Sequence, residues 1–159
     1  MPIAWQSIRA RIGFTFRCRT LTASQCCETR FLLIGGALVP DAAGFLYIDR
    51  SQFKEVFAAD VQARVLSMMV ASQKPIHSQT FGQIYETPAW NSIPSWYLRA
   101  TDDQAINPEL QRMFAERMGA TTREVKSSHV PFASNPSTVV SIITEAAEAT
   151  RERTTAAEA

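Results

Sequence analysis

Residues 94–129 read PSWYLRATDDQAINPELQRMFAERMGATTREVKSSH, and the order of elements in this stretch decides the fold. Ser95-Trp96-Tyr97-Leu98, following Pro94, has the aromatic and β-favouring texture of a strand. Asn107-Pro108 then sets a capping side chain beside a proline whose fixed φ suits the first helical position. Leu110, Met113, Phe114 and Met118 continue as an apolar helical stripe, and Gly119 stands where a left-handed residue closes a helix. Thr121 to Lys126 reads as a second strand. Asn135-Pro136 repeats the cap-and-proline device and opens a further helix, with Val139, Val140, Ile142, Ile143 and Ala146 on its apolar side. Strand, helix, strand, helix predicts an α/β fold of parallel strands with right-handed crossover helices.

Outward from this core the signals become more local. Phe31-Leu32-Leu33-Ile34, closed by Gly35-Gly36, reads as a buried strand or a strand remnant. Pro40 to Gly44 is a turn and Phe45 to Ile48 a brief strand. Ser51 stands where it can cap a helix running to about Gln73, with Phe53, Val56, Phe57, Val61, Val65, Leu66 and Met69 as its apolar stripe and Pro75 as its stop. Residues 76–93 are loop-like, anchored by Phe81, Tyr85 and Trp90. The tail 151–159 is polar, rich in small residues and expected to fray.

Residues 1–30 have a different character. They hold Arg9, Arg11, Arg17, Arg19 and Arg30 against a single acid, Glu28, together with all three cysteines. Arg-rich and acid-poor composition also marks organellar transit peptides, but Gly13, Cys18, Cys26 and Cys27 interrupt an amphipathic helix, and no apolar core of a signal peptide follows. The segment reads as a basic lead-in unrelated to the rest. The whole chain, 159 residues with 46% hydrophobic and 19% charged, suits one globular domain. A formal charge of +1 argues against a nucleic-acid partner held by phosphate neutralisation. No apolar run nears the ~20 residues that span a bilayer, so no membrane partner is expected. Three cysteines at 18, 26 and 27 form no disulfide framework, which favours a reducing, cytoplasmic setting.

In open parallel sheets, ligands gather at the carboxyl ends of strands. Thr101-Asp102-Asp103-Gln104 follows one strand and Ser127-Ser128-His129 the next. An aspartate and a histidine on neighbouring loops can form the acid and base of a Ser-His-Asp triad, in which the carboxylate fixes the imidazole tautomer and the imidazole carries the proton. Spacing alone leaves open that either aspartate merely caps a turn and that His129 is a structural hydrogen-bonder.

The segment Pro94–Arg112 resembles the acid-loop region of α/β-hydrolase-fold esterases. The branch it most resembles includes salicylate-ester hydrolases, plant methylesterases and hydroxynitrile lyases. Ser128–Pro136 is similar to that branch's histidine loop. Phe53–Phe81, with Phe57-Ala-Ala-Asp60 and Ser72-Gln-Lys-Pro-Ile76, looks like its cap, and the similarity covers about residues 44–148. The resemblance implies Asp103 as the triad acid, because the offset to Pro-Glu-Leu-Gln fits it rather than Asp102, and His129 as the base. It implies hydrolysis of small, apolar carboxylic esters with Phe53, Phe57, Phe81 and Trp90 near the pocket, or, for each of these, ordinary packing of cap on core. No cofactor and no metal is implied. The expected organisation is a lead-in over 1–30, a partial α/β-hydrolase domain over 31–150 (cap about 50–93, acid- and histidine-loop part 94–148) and the tail 151–159.

The sequence departs from that pattern in one respect. The fold's nucleophile sits in G-x-S-x-G at a sharp strand-to-helix turn upstream of the cap, and no such motif occurs here. Cys26 or Cys27 would need an elbow that their surroundings do not resemble, Ser127 and Ser128 adjoin the histidine in sequence, and His77 belongs to the cap loop. The chain therefore reads as the carboxyl-terminal portion of such a hydrolase. The alternative function is a non-catalytic remnant or pseudoenzyme that binds a partner or self-associates through an exposed sheet edge.

Overall fold

The structure, a computed structural model, describes residues 33–83 and 87–157. The basic segment 1–30, with Phe31, Leu32 and Tyr85, lies outside the described residues. Two small sheets organise the rest. In the first, β1 (Leu38–Pro40), β2 (Phe45–Ile48) and β3 (Ile76–His77) run antiparallel in the order β1-β2-β3. Asp41 makes the β1–β2 hairpin: its Oδ1 accepts the N–H groups of Ala43 and Phe45, and Gly44 takes the positive φ of 88° that the turn requires. The second sheet is the expected parallel pair, β4 (Trp96–Ala100) beside β5 (Thr121–Val125), in register from Trp96↔Thr121 to Ala100↔Val125.

The helix α3 (Pro108–Met118) crosses between these parallel strands, as parallel connection requires. Its boundaries follow from chemistry legible in the sequence. Asn107 Oδ1 accepts the Glu109 N–H at 2.8 Å, Pro108 occupies the first turn, and Gly119 closes the helix in the left-handed region at φ 59°. Arg99 on β4 reaches its register partner Glu124 on β5 at 2.5 Å, and Arg123 pairs with Glu145 on the last helix.

Between β2 and β3 lie α1 (Phe53–Phe57) and α2 (Ala63–Ser72), and after β5 come α4 (Pro131–Ser134) and α5 (Pro136–Ala157). The one buried apolar cluster among the described residues joins these two regions. Phe53, Ala58, Val61 and Val130 form its centre, with Ile48, Phe57, Leu66, Met69, Val70 and Ala133 packed around them. Gln73 fastens the end of α2 to β2, its amide donating to the Ile48 carbonyl and accepting the Ile48 N–H, each at 3.0 Å.

Four sequence expectations need correction. Leu33 and Ile34 are not in a strand: a 3-10 turn spans Leu33–Ala37, through Gly35 and Gly36, and the Ile34 N–H bonds Ala105 O on the acid loop instead of a sheet neighbour. The single helix expected over 51–73 is two helices. The chain leaves helical geometry at Ala58 (φ −142°, ψ 45°), and Ser51 is no cap, because its N–H and hydroxyl both bond Asp49 Oδ1. The break turns Val65 outward while Leu66 and Met69 stay on the core. On α5 the stripe is narrower than expected: Ile142 is buried, whereas Val140 and Ile143 are exposed. The helix also continues to Ala157 through the tail expected to fray.

Because this core is small, one side chain carries much of it. Phe53→Ala should cost about 3–5 kcal/mol, the usual range for emptying a buried phenylalanine site, and lower the urea midpoint without changing the steepness of a single transition.

Candidate functional site

The parallel pair delivers two loops to the same end of the sheet, after Ala100 and after Val125. The Asp102 N–H bonds the Ser127 carbonyl at 3.1 Å, extending strand-like pairing into the loops and setting them side by side. Asp103 then turns inward and is 1% exposed. A carboxylate removed from water needs donors, and Asp103 has four. Oδ1 accepts the N–H groups of Ala105 and Ile106 at 2.7 and 3.0 Å, and Oδ2 accepts from Gln111 Nε2 at 2.6 Å and meets His129 Nδ1 at 2.8 Å. An ionised carboxylate only accepts, so the Nδ1 proton of His129 points at Asp103, the arrangement that in a neutral ring leaves the lone pair on Nε2. Asp102, by contrast, is exposed.

Gln111 is a member of the site that sequence reasoning missed. It is buried on the first turn and a half of α3. Its Oε1 accepts the Ala100 N–H at 3.0 Å, and its Nε2 donates to Asp103 and to the Ile106 carbonyl. One amide thereby ties the end of β4, the acid loop and the carboxylate together. The signal lay in the Pro-Glu-Leu-Gln run: a glutamine on the apolar side of an amphipathic helix, one residue after Leu110, needs a buried partner. Tyr97 senses the same carboxylate. Burial, and then the charge of Asp103, hold its phenol above the ordinary value.

His129 is partly exposed, and its ring lies 4.7 Å from that of Phe57. Of the four aromatic residues expected near a pocket, Phe57 is brought onto the histidine. Phe53 stands behind it in the core, ring centroids 5.1 Å apart. Trp90 lies under the Arg117 guanidinium at 5.7 Å, and Phe81 is half-buried in the 3-10 turn after β3. His77 is engaged in the first sheet, its Nδ1 accepting the Gln79 N–H at 3.3 Å and its ring edge-on to Phe45 at 5.0 Å. Ser127 and Ser128 are buried: the Ser127 hydroxyl is within 2.9 Å of Ser134 Oγ, and the Ser128 N–H and hydroxyl both bond Asp60. Burial alone would raise the Asp60 carboxyl. Hydrogen bonds donated by Ser128, Ser134 and Ser127 outweigh that and hold it below the ordinary 3.8.

Two outcomes follow from this geometry. Gln111→Leu strands the Ala100 N–H and one lone pair of Asp103, and urea unfolding should show a loss of about 1–3 kcal/mol. A depressed carboxyl adds stability above its unfolded value and loses it as the pH falls through the folded one. The melting-temperature gap between the parent chain and Asp60→Ala is therefore expected to hold above pH 3.8 and to close in more acid solution, as followed by circular dichroism.

Among the described residues no helix is long and apolar enough to cross a membrane. Solved structures share the fold. A histidine-to-alanine variant of PytH superposes with a TM-score of 0.62 at 21% identity, over 76% of this chain and 49% of that one. The pyrethroid hydrolase PytH with BIF gives 0.60 at 21% identity, over 76% and 50%. Polyneuridine aldehyde esterase gives 0.60 at 14% identity, over 77% and 52%. The chain thus spans about half the length of the solved structures it matches. No curated protein sequence matches it. The sequence model of the alpha/beta hydrolase family, however, matches residues 7–142, starting inside the basic segment and running through the acid loop, His129 and most of the first half of α5. By that match, and with the parallel pair and its two loops in the fold's arrangement, the chain belongs to the alpha/beta hydrolase family.

Proposed function

We propose that Asp103 and His129 are the acid and base of an ester-hydrolysing site for small, apolar carboxylic esters, in the branch of the family that includes salicylate-ester hydrolases, plant methylesterases and hydroxynitrile lyases. The observation that carries this reading is the 2.8 Å contact between His129 Nδ1 and a buried carboxylate already held by three other donors. In acyl transfer the imidazole takes the proton of an attacking hydroxyl at Nε2 and passes it to the departing alkoxide. Asp103 keeps the ring in the tautomer that allows both and balances the imidazolium formed between them. Phe57, against the ring, supports an apolar acyl or alkyl group nearby. Similar structures named a pyrethroid hydrolase and an aldehyde esterase support the reaction class.

A second reading has its own observation, the absence of G-x-S-x-G from the sequence. Without a nucleophile the pair has no proton to accept. The polypeptide then acts by binding a partner or a second copy of itself. Among the described residues β4 is paired on one side alone, which leaves a strand edge for such association.

Intact mass after exposure to a fluorophosphonate probe separates the two. The hydrolase reading expects a single covalent adduct on the folded chain, lost in His129→Ala, and peptide mapping names the nucleophile. Folded protein that takes up no probe rejects hydrolysis by this polypeptide and leaves the binding reading.

A further inference from the structure

Acyl transfer makes no use of Asp60, the carboxylate in the turn between α1 and α2. It accepts the Ser128 backbone N–H at 3.2 Å and the Ser128 hydroxyl, across 68 residues of sequence. Three residues earlier, Phe57 lies against the imidazole of His129. Between and beyond them, Ala58 and Val61 are buried in one cluster with Val130. The short segment 57–61 therefore grips three consecutive residues of the histidine loop. Asp60 holds residue 128 by hydrogen bonds, Phe57 holds the ring of residue 129, and Ala58 and Val61 share a core with residue 130.

The loop needs such a hold. Asp103 meets the imidazole at one nitrogen, and one hydrogen bond does not by itself fix both side-chain torsions of the ring. Ring orientation follows from the backbone at 128–130 and from what lies against the ring face. The segment 57–61 supplies both.

We propose that Asp60, with Phe57, is a positioning residue for His129: the cap clamps the histidine loop so that Nδ1 faces Asp103 and Nε2 stays available for proton transfer. This inference rests on the reading of His129 as the general base. It assigns to the cap turn a part in holding that base, where packing of cap on core would ask no more of it than stability.

The tautomer of the His129 ring reports this directly and needs no turnover. In the full chain labelled with 15N-histidine, long-range proton–nitrogen spectra of the neutral rings contain two sets of signals, from His77 and His129, and His77→Ala assigns them. The unmodified chain is expected to show His129 as a single Nδ1–H tautomer. Asp60→Ala is expected to lose that signature, giving signals averaged over both tautomers. Asp60→Asn, which keeps an acceptor oxygen, should retain more of it. Asp60→Ala protein that melts cooperatively with the His129 signals unmoved overturns the proposal. Should Asp60→Ala not fold, Ser128→Ala reads the clamp from its other side: loss of the single tautomer supports the proposal and an unchanged one overturns it. Asp103→Leu, which leaves Nδ1 no acceptor, tells the two readings apart. If it leaves the tautomer intact, the acid–base reading fails. If it abolishes the signature while the Asp60 variants do not, the clamp alone fails.

Discussion

A carboxylate taken out of water is stable only if its surroundings supply donors, and Asp103 dictates the arrangement of everything near it. Two of its donors are backbone N–H groups, which obliges the chain to turn sharply at Gln104 to Ile106. A third is Gln111, which fixes the rotation of α3 against the end of β4, because the same amide also accepts the Ala100 N–H. The fourth is His129, delivered by the neighbouring strand. Removing one donor leaves the charge partly unmatched at a cost of about 1–3 kcal/mol. Strand, loop and helix are in this sense held to a common geometry by one side chain.

The segment 53–70 is bound to this arrangement through a small apolar cluster. Val130, one residue beyond the histidine, sits in the same core as Phe53, Ala58 and Val61. The segment 53–70 and the loop that carries His129 are parts of one packed unit. Ile34, outside that core, adds a hydrogen bond to the acid loop at Ala105. Local motion of that segment and placement of the imidazole are consequently not independent degrees of freedom.

Much of the parallel half was legible because its signals are local and chemical. Asn107 beside Pro108 marks a helix start, Gly119 marks its end, and the strands on either side have neighbours of the right length. The meeting of Asp103 and His129 was foreseeable because both fall just after predicted strands, although preferring Asp103 to Asp102 required the resemblance to known esterases. What was not legible depends on distant partners. The apolar pattern from Phe53 to Met69 is compatible with one helix, and nothing local reveals that Ala58 must bend the chain so that Asp60 can meet Ser128. Gln111 stands on the apolar side of α3, a hint that it has a buried partner, but which partner is settled only by a carboxylate on a separate loop. Leu33 and Ile34 have strand composition, yet no strand lies beside them, and backbone pairing decides the outcome.

The sequence separations of these contacts set unequal costs of closure. Asp103 and His129 are 26 residues apart, joined by one strand–helix–strand unit, whereas Asp60 and Ser128 are separated by 68. Loop-closure entropy grows with the logarithm of length, so the longer connection costs about 1 kcal/mol more to close, and long-range contacts of this kind slow folding. The Asp103–His129 contact therefore closes within its own strand–helix–strand unit at a lower entropic cost than the Asp60–Ser128 contact, which has to draw in a segment from outside that unit.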